Sequence, residues 1–321
     1  MSKPSVASFR QFPGPLGMML TSLFDMRTPD VEVVVTKDDK AAVAEGAEIV
    51  IATAFDDIDA ETAAALPDSV KMVASFGVGV DHLAIDALKA RGIMVSNTPD
   101  VTTACLADTA MGLIIAACRR FREGLAIAET GEGRGMLTQD SWGQRVTGRT
   151  LGIVGMGNMG KAVAQRARAF DMPIVYTTPR PSPELDAEVG GKSVDLDTLL
   201  RTADIVSLHC PLKDETKGLI DAAAIEKMKP SAVIVNISRG PIIDELALID
   251  ALKSGKIFAA GLDVFETEPG PIREELRSLP NAYCLPHIAS ATLESRGAMA
   301  QRVIENINQY MADGAPKDRV C

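Results

Sequence analysis

Glycines stand at 155, 157 and 160, directly after the apolar run Leu151–Val154, in the pattern G-x-G-x-x-G. This spacing suits a phosphate. The first glycine permits a tight turn, the second lets backbone approach a pyrophosphate with no Cβ in the way, and the third lets the next helix pack close on the strand. The N–H groups at the start of that helix then face the anion. Strand, turn and helix signals occur together, so the run reads as a dinucleotide-binding turn. An acid about 20 residues further on would mark a partner for the ribose hydroxyl of NAD. The next strand ends instead in Thr177 and Thr178, followed by Pro179-Arg180-Pro181-Ser182-Pro183, and Asp171 precedes that strand at its wrong end. A proline-stiffened loop carrying a guanidinium attracts a phosphate. The expected cofactor is NADP(H), with NAD(H) as the second candidate.

Three further segments each follow an apolar run: Val235-Asn-Ile-Ser-Arg239-Gly, Gly261-Leu-Asp263-Val-Phe-Glu-Thr-Glu268-Pro, and Leu285-Pro-His287-Ile-Ala-Ser290. Ligands of a doubly wound sheet bind outside the carboxyl ends of its strands, so Arg239, Glu268 and His287 are expected in one crevice beside the glycine turn. Their chemistry suits a 2-keto acid. The forked donors of an arginine bridge carboxylate and carbonyl. An imidazolium donates a proton to the carbonyl oxygen as hydride reaches the carbon. A neighbouring carboxylate is expected to raise the pKa of the imidazole and keep that acid protonated near neutral pH. His209, in Ser207-Leu-His209-Cys-Pro211, receives no acid–base role, and His82 reads as a surface residue. Three histidines and five cysteines with no C-x-x-C pair predict neither a metal site nor a disulfide framework.

These residues need a scaffold that ends many strands on one side. The 321 residues correspond to about two domains. Strands are predicted at 31–36, 48–52, 71–75 and 93–96, with helices at 40–46, 60–66 and 84–91 between them. Asn97-Thr98-Pro99-Asp100 marks a break. One long helical pattern runs over 102–127, and 131–148 reads as a surface loop. Strands then recur at 150–154, 174–177, 205–208, 232–236, 259–263 and 282–285, with helices such as 161–170 and 245–254 between them and a closing helix at 292–311. Residues 1–30 show little periodicity and receive no element. Strand–helix alternation means parallel sheets and the α/β class.

Net charge is −10 and Lys and Arg are scattered, so no basic face is available for nucleic acid. Aromatics make up 4%, too few for base-stacking platforms. No uncharged apolar run approaches the roughly 18 residues of a membrane span, and the N-terminus does not read as a signal peptide. A cytoplasmic protein with no membrane partner is expected.

With these motifs in this order, the chain resembles the D-isomer-specific 2-hydroxyacid dehydrogenase family, and within it the glyoxylate/hydroxypyruvate reductases. The resemblance runs from about Lys71 to Met311 and includes Phe76-Gly77-Val78-Gly79-Val80-Asp81. It implies two doubly wound parallel-sheet domains with a cleft between them. These would be a Rossmann cofactor domain at 99–289 and a flavodoxin-like substrate domain at 1–98 with 290–321. It places Arg239, Glu268 and His287 at the catalytic positions, the spacing favouring Glu268 over Glu266, and Asp263 opposite the nicotinamide carboxamide. Backbone N–H groups of Val78 and Gly79 would hold the substrate carboxylate, and Arg239 and His287 would also bind the substrate. The remaining implied cofactor contacts are Thr102, Asn158, Met159, Thr177, Thr178, Arg180, His209, Cys210, Pro211, Thr216, Ile237 and Ser238.

The implied reaction is NADPH-dependent reduction of glyoxylate or hydroxypyruvate to the D-2-hydroxy acid. A D-lactate-type or branched 2-keto acid reductase on the same site is the alternative enzyme. A dinucleotide-sensing, corepressor-like binding protein is the alternative from another class. The helix from Thr102 matches the family's dimer contact, so a homodimer is expected. Many relatives carry a tryptophan in the loop before the glycine-rich strand. Here the only one, Trp142, lies nearer Gly148, and Met136 or Leu137 takes the expected place. Formate dehydrogenases of the same fold lack the Glu–His pair, so Glu268 argues against that activity.

Overall fold

The computed structural model describes residues 3–33, 36–131, 133 and 142–321. They form two compact units, Met1–Thr102 with Thr292–Cys321, and Thr103–Ala291.

In the first unit the chain runs β1 (Ser5–Ser8), α1 (Gly14–Leu23), β2 (Asp25–Arg27), α2 (Lys37–Ala44), β3 (Ile49–Ala52), α3 (Ala60–Ala65), β4 (Met72–Ser75), α4 (Ile85–Ala90) and β5 (Met94–Ser96). The sheet is parallel throughout, in the order β2-β1-β3-β4-β5. This is the doubly wound order of flavodoxin-like sheets. Strands β3 and β4 are buried along their whole length, which is why they read as unbroken apolar runs. Helix starts are fixed by side-chain caps: Thr36 accepts from the N–H of Asp39, and Asp59 from that of Thr62. The C-terminal helix Leu293–Asp313 returns to this unit and packs Met299, Val303 and Ile307 among Val6, Ile51 and Met72.

Two expectations for this unit are corrected. The run 31–36 is not a strand over its described residues. Residues 31 and 32 bend, Val33 makes one isolated bridge to Arg10, and 34 and 35 lie outside the described residues. The edge of the sheet is taken by β2, three residues with weak strand character, because an edge strand answers to one neighbour rather than to intrinsic preference. Residues 1–30, given no element, supply β1, α1 and β2.

The second unit runs α5 (Thr103–Cys118), α6 (Phe121–Glu129), β6 (Leu151–Val154), α7 (Asn158–Arg168), β7 (Ile174–Thr177), α8 (Pro183–Val189), β8 (Gly191–Ser193), α9 (Leu196–Thr202), β9 (Ile205–Leu208), α10 (Ala222–Lys227), β10 (Val233–Asn236), α11 (Glu245–Ser254), β11 (Ala259–Leu262), α12 (Glu274–Arg277) and β12 (Ala282–Cys284). Its parallel sheet has the order β12-β11-β10-β9-β6-β7-β8, the Rossmann order, which reverses direction between β6 and β9. One face packs Ile114, Ile153 and Val163, the other Val206, Ile234 and Leu248.

The helical pattern 102–127 is two helices rather than one. Arg120 adopts a left-handed backbone with φ 55°. At the break the carbonyl of Cys118 accepts from the N–H of Gln144 at 2.6 Å, and Gly143 packs so close that a Cβ there would lie 2.5 Å from that carbonyl oxygen. A crossing segment thus takes the hydrogen bond that a continuing helix would have used.

Candidate active site

The glycine turn sits where the second sheet reverses. Gly155 has φ +95°, its N–H donates to the carbonyl of Thr177 at 2.9 Å, and a Cβ on it would lie 2.6 Å from the backbone nitrogen of Cys210. Only glycine fits there. A Cβ on Gly160 would overlap the carbonyl oxygen of Gly155, so the start of α7 is seated against the turn. Gly157 differs: a Cβ there meets nothing within 4 Å, and this residue caps α7 with no side-chain hydrogen bond. Bare backbone therefore faces open space at the positive end of an 11-residue helix. His209, across the turn, bonds Ser207 Oγ through Nε2 at 2.8 Å, while its buried Nδ1 has no partner among the described residues. An open glycine cradle, an uncapped helix start and an orphaned buried polar atom together fit a dinucleotide.

Burial pushes the pKa of His209 down to about 3, so it is neutral near pH 7 and unsuited to proton donation. Burial pushes the Cys210 thiol up to about 11. Ser238 Oγ donates to the carbonyl of Cys210 at 2.5 Å, and Thr216 Oγ1 to that of Pro211 at 2.7 Å. Ile237 is buried beside them, and Asn158 and Met159 open α7. Thr177 ends β7, and Thr178 leads into a loop with Arg180 exposed before the Ser182 cap of α8. Thr102 is buried at the end of the first unit's main segment.

Glu268 and His287, expected as an acid–base pair, are in contact. His287 Nδ1 lies 2.7 Å from Glu268 Oε2, with both side chains about a fifth exposed. The other carboxylate oxygen accepts the N–H of Phe265 at 2.9 Å. His287 has a left-handed backbone, φ 55°, which is uncommon for a residue with a Cβ. Asp263 holds it there: its two carboxylate oxygens accept the N–H groups of Ile288 at 2.7 Å and Ala289 at 2.8 Å, and its carbonyl that of His287 at 2.9 Å. Burial raises the pKa of Asp263, against the pull of those two N–H groups.

Arg239 follows β10 and opens a 3-10 turn, Gly240–Ile242, with Nη1 donating to the carbonyl of Ser238 at 2.8 Å. A Cβ on Gly240 would overlap the carbonyl group of Phe265, so the arginine turn and the Glu268 loop are in van der Waals contact. Three supporting residues were not singled out from sequence. Asn236, fully buried, donates to the carbonyl of Arg239 at 2.8 Å and accepts from Ser238 N–H at 3.0 Å. Gly240 is the contact just described. Glu245 is buried at the start of α11, and burial raises its pKa although Glu266 N–H and Arg273 stabilise the charge. The visible sequence signal was only an asparagine at a strand end and an acid in a helix first turn.

Within the first unit, the loop after β4 is tied down through its carbonyls. Thr98 N–H donates to Gly77 at 3.0 Å, Asn97 Nδ2 to Val78 at 2.8 Å and Ser75 Oγ to Gly79 at 3.4 Å. Val78 is 45% exposed. His82, expected at the surface, is instead buried. Trp142 is 62% exposed, and Met136 and Leu137 lie outside the described residues.

Residues 111–289 match the family model for the NAD-binding domain of D-isomer-specific 2-hydroxyacid dehydrogenases. Glyoxylate/hydroxypyruvate reductase B of Escherichia fergusonii is 40% identical over 319 residues, covering 99% of this chain and 98% of the relative. The enzyme of the same name from Citrobacter koseri is 46% identical over 239 residues, 74% of either chain. Among solved structures, the NADPH-dependent glyoxylate/hydroxypyruvate reductase of Sinorhizobium meliloti, in complex with NADP and malonate, superposes with a TM-score of 0.85 at 30% identity, covering 100% of this chain and 97% of that one. No helix among the described residues is long and apolar enough to cross a membrane.

Proposed function

Because the chain belongs to the D-isomer-specific 2-hydroxyacid dehydrogenase family, and so is an NAD(P)-dependent dehydrogenase, we propose that it reduces glyoxylate or hydroxypyruvate to the D-2-hydroxy acid with NADPH. The observation that carries this reading is the 2.7 Å contact between His287 Nδ1 and Glu268 Oε2. An ionised carboxylate only accepts, so Nδ1 carries the hydrogen of that contact and Nε2 is the nitrogen for the proton that moves. In reduction Nε2–H gives its proton to the keto oxygen, and in oxidation Nε2 takes it back. Bound nicotinamide supplies the hydride to the keto carbon. Arg239 bridges the substrate's carboxylate and carbonyl oxygens, which fixes the keto acid and stabilises the developing alkoxide. Val78 and Gly79, by their motif, would offer backbone N–H groups to a substrate carboxylate. Gly155, Gly157, Gly160 and the start of α7 cradle the pyrophosphate. Asp263 would serve the carboxamide with lone pairs beyond those that accept the N–H groups of Ile288 and Ala289.

The test is parallel consumption of NADPH and NADH with glyoxylate, hydroxypyruvate, pyruvate and 2-ketoisocaproate. Fast NADPH loss with the first two is the expected result. No turnover with any of them, by protein that still binds dinucleotide, refutes the proposal. For the cofactor, the support is Arg180 in an exposed loop and the absence of an acid at the end of β7. Arg180→Ala is expected to raise the KM for NADPH about tenfold, the size of one charge-assisted hydrogen bond, with that for NADH nearly unchanged. Equal effects on both cofactors would remove Arg180 from selectivity.

The reading is of a cytoplasmic homodimer. Phe121, Leu125 and Trp142 are 49%, 64% and 62% exposed and line one apolar groove along α6, a surface suited to a second copy. Light scattering is expected to return twice the 34.0 kDa of one chain, and a monomer would refute the dimer.

A further inference from the structure

Glu245 is a carboxylate in the first turn of a helix, a place where such residues usually face water. Its side chain is only 3% exposed, and its two oxygens are spent on a single neighbouring loop. Oε1 accepts the backbone N–H of Glu266. Oε2 accepts Arg273 Nε at 3.1 Å, and Arg273 Nη2 in turn reaches Glu266 Oε2 at 3.1 Å. The loop is thus gripped at Glu266 twice, through its backbone and through its side chain. Glu268 stands two residues further on in the same turn, with its N–H on the carbonyl of Phe265 at 3.3 Å and its Oε1 on the N–H of Phe265 at 2.9 Å. Only Oε2 then remains for His287 Nδ1.

We infer that Glu245 is a positioning residue, which holds the Glu268 carboxylate in register with His287. Asp263 fixes the histidine from one side, and Glu245 fixes its acceptor from the other. The hydrogen bonds of Glu245 go to Glu266 and Arg273, so its effect on His287 is expected to pass through the loop that carries Glu268. Its kinetic consequence rests on the reductase reading above, whereas its structural consequence does not.

Two readouts test it. The first is the proton resonance of the His287 Nδ1–H held by a carboxylate, assigned by its loss in His287→Asn and resolved because the chain has only three histidines. This signal is expected to weaken or vanish in Glu245→Ala, with no ligand present and no turnover needed. The second is a double-mutant cycle on kcat. Glu245→Ala alone is expected to lower kcat about tenfold with KM for NADPH unchanged, yet to cost less than about twofold in the Glu268→Gln background, since the two residues act as one network. Glu245→Gln keeps an oxygen for Glu266 N–H and loses the pairing with Arg273, so its effect is expected to be smaller. Should Glu245→Ala fail to fold, Arg273→Met removes one arm of the grip from the solvent side and is put through the same cycle. An unchanged imidazole signal, or the same loss of kcat in both backgrounds, overturns the inference. Wild-type protein inactive on every keto acid would sink the reductase reading, while the imidazole signal still decides the role of Glu245.

Discussion

His287→Asn is expected to lower kcat about 10³-fold while leaving the fold and dinucleotide binding in place. The magnitude is that of a lost general acid, 10² to 10⁴. Asparagine is the informative replacement because of the backbone. His287 sits at φ 55°, where a residue with a Cβ costs roughly 1–2 kcal/mol, and asparagine tolerates that region better than alanine. Alanine would mix a stability loss with the chemical one. Asp263 still accepts from Ile288 and Ala289, so the turn keeps its shape without the imidazole. The cradle for the dinucleotide is built from other elements, the end of β6 and the start of α7, and is untouched. Stopped-flow reduction, thermal melting and NADPH fluorescence titration check the three parts. Turnover within tenfold of wild type would remove His287 from the acid role. Lost NADPH binding together with lost turnover would instead make it a cofactor ligand.

How much of this was legible in the sequence depends on where the information resides. Strands buried on both faces announce themselves, because every position must be apolar; β7 and β9 coincide with the runs that predicted them. The glycine turn was legible because its spacing is that of a phosphate cradle; two of its glycines are forced by backbone overlap, and the third leaves bare backbone facing open space. Elements with weak local signals were missed. β8 is only Gly-Lys-Ser and β2 only Asp-Met-Arg, and each is held as an edge by the strand beside it. The break at Arg120 is dictated by Gly143 and Gln144, more than 20 residues on, which no helical period shows. In the site, the Glu268–His287 contact follows an expectation from spacing, but the supports of the pair do not. Glu245 is an ordinary helix-start acid until Glu266 and Arg273 are seen upon it. Likewise the burial of Asp263 gives it a hold on the His287 backbone that residue type alone does not reveal.

Gly240→Ala is expected to be the most damaging single-methyl change in the second unit. Its added carbon would overlap the carbonyl group of Phe265 and crowd the N–H of Glu266, all of it backbone, so no side chain can rotate away. Overpacking of this kind costs about 3 kcal/mol when the backbone itself must shift. The shift falls on two of the groups proposed for catalysis together. Arg239 precedes Gly240 and takes its direction from that turn, while Phe265 N–H fixes one oxygen of Glu268. Separating the two segments by about 1 Å misplaces the guanidinium and the carboxylate at once, and misplacement of that size lowers turnover about 100-fold. The contact borders the core cluster that holds Phe265 and Ile242, so part of the loss is expected as a lowered melting temperature, while the cluster on the other face of the sheet is untouched. Thermal melting and kcat/KM for glyoxylate are the measurements, with His287→Asn as the reference for a chemical loss without a packing one. A wild-type melting temperature with wild-type kcat/KM would mean that the turn at Arg239 and the loop at Glu268 do not bear on one another. A lowered melting temperature with full activity would mean that their contact stabilises the fold without setting the geometry of catalysis.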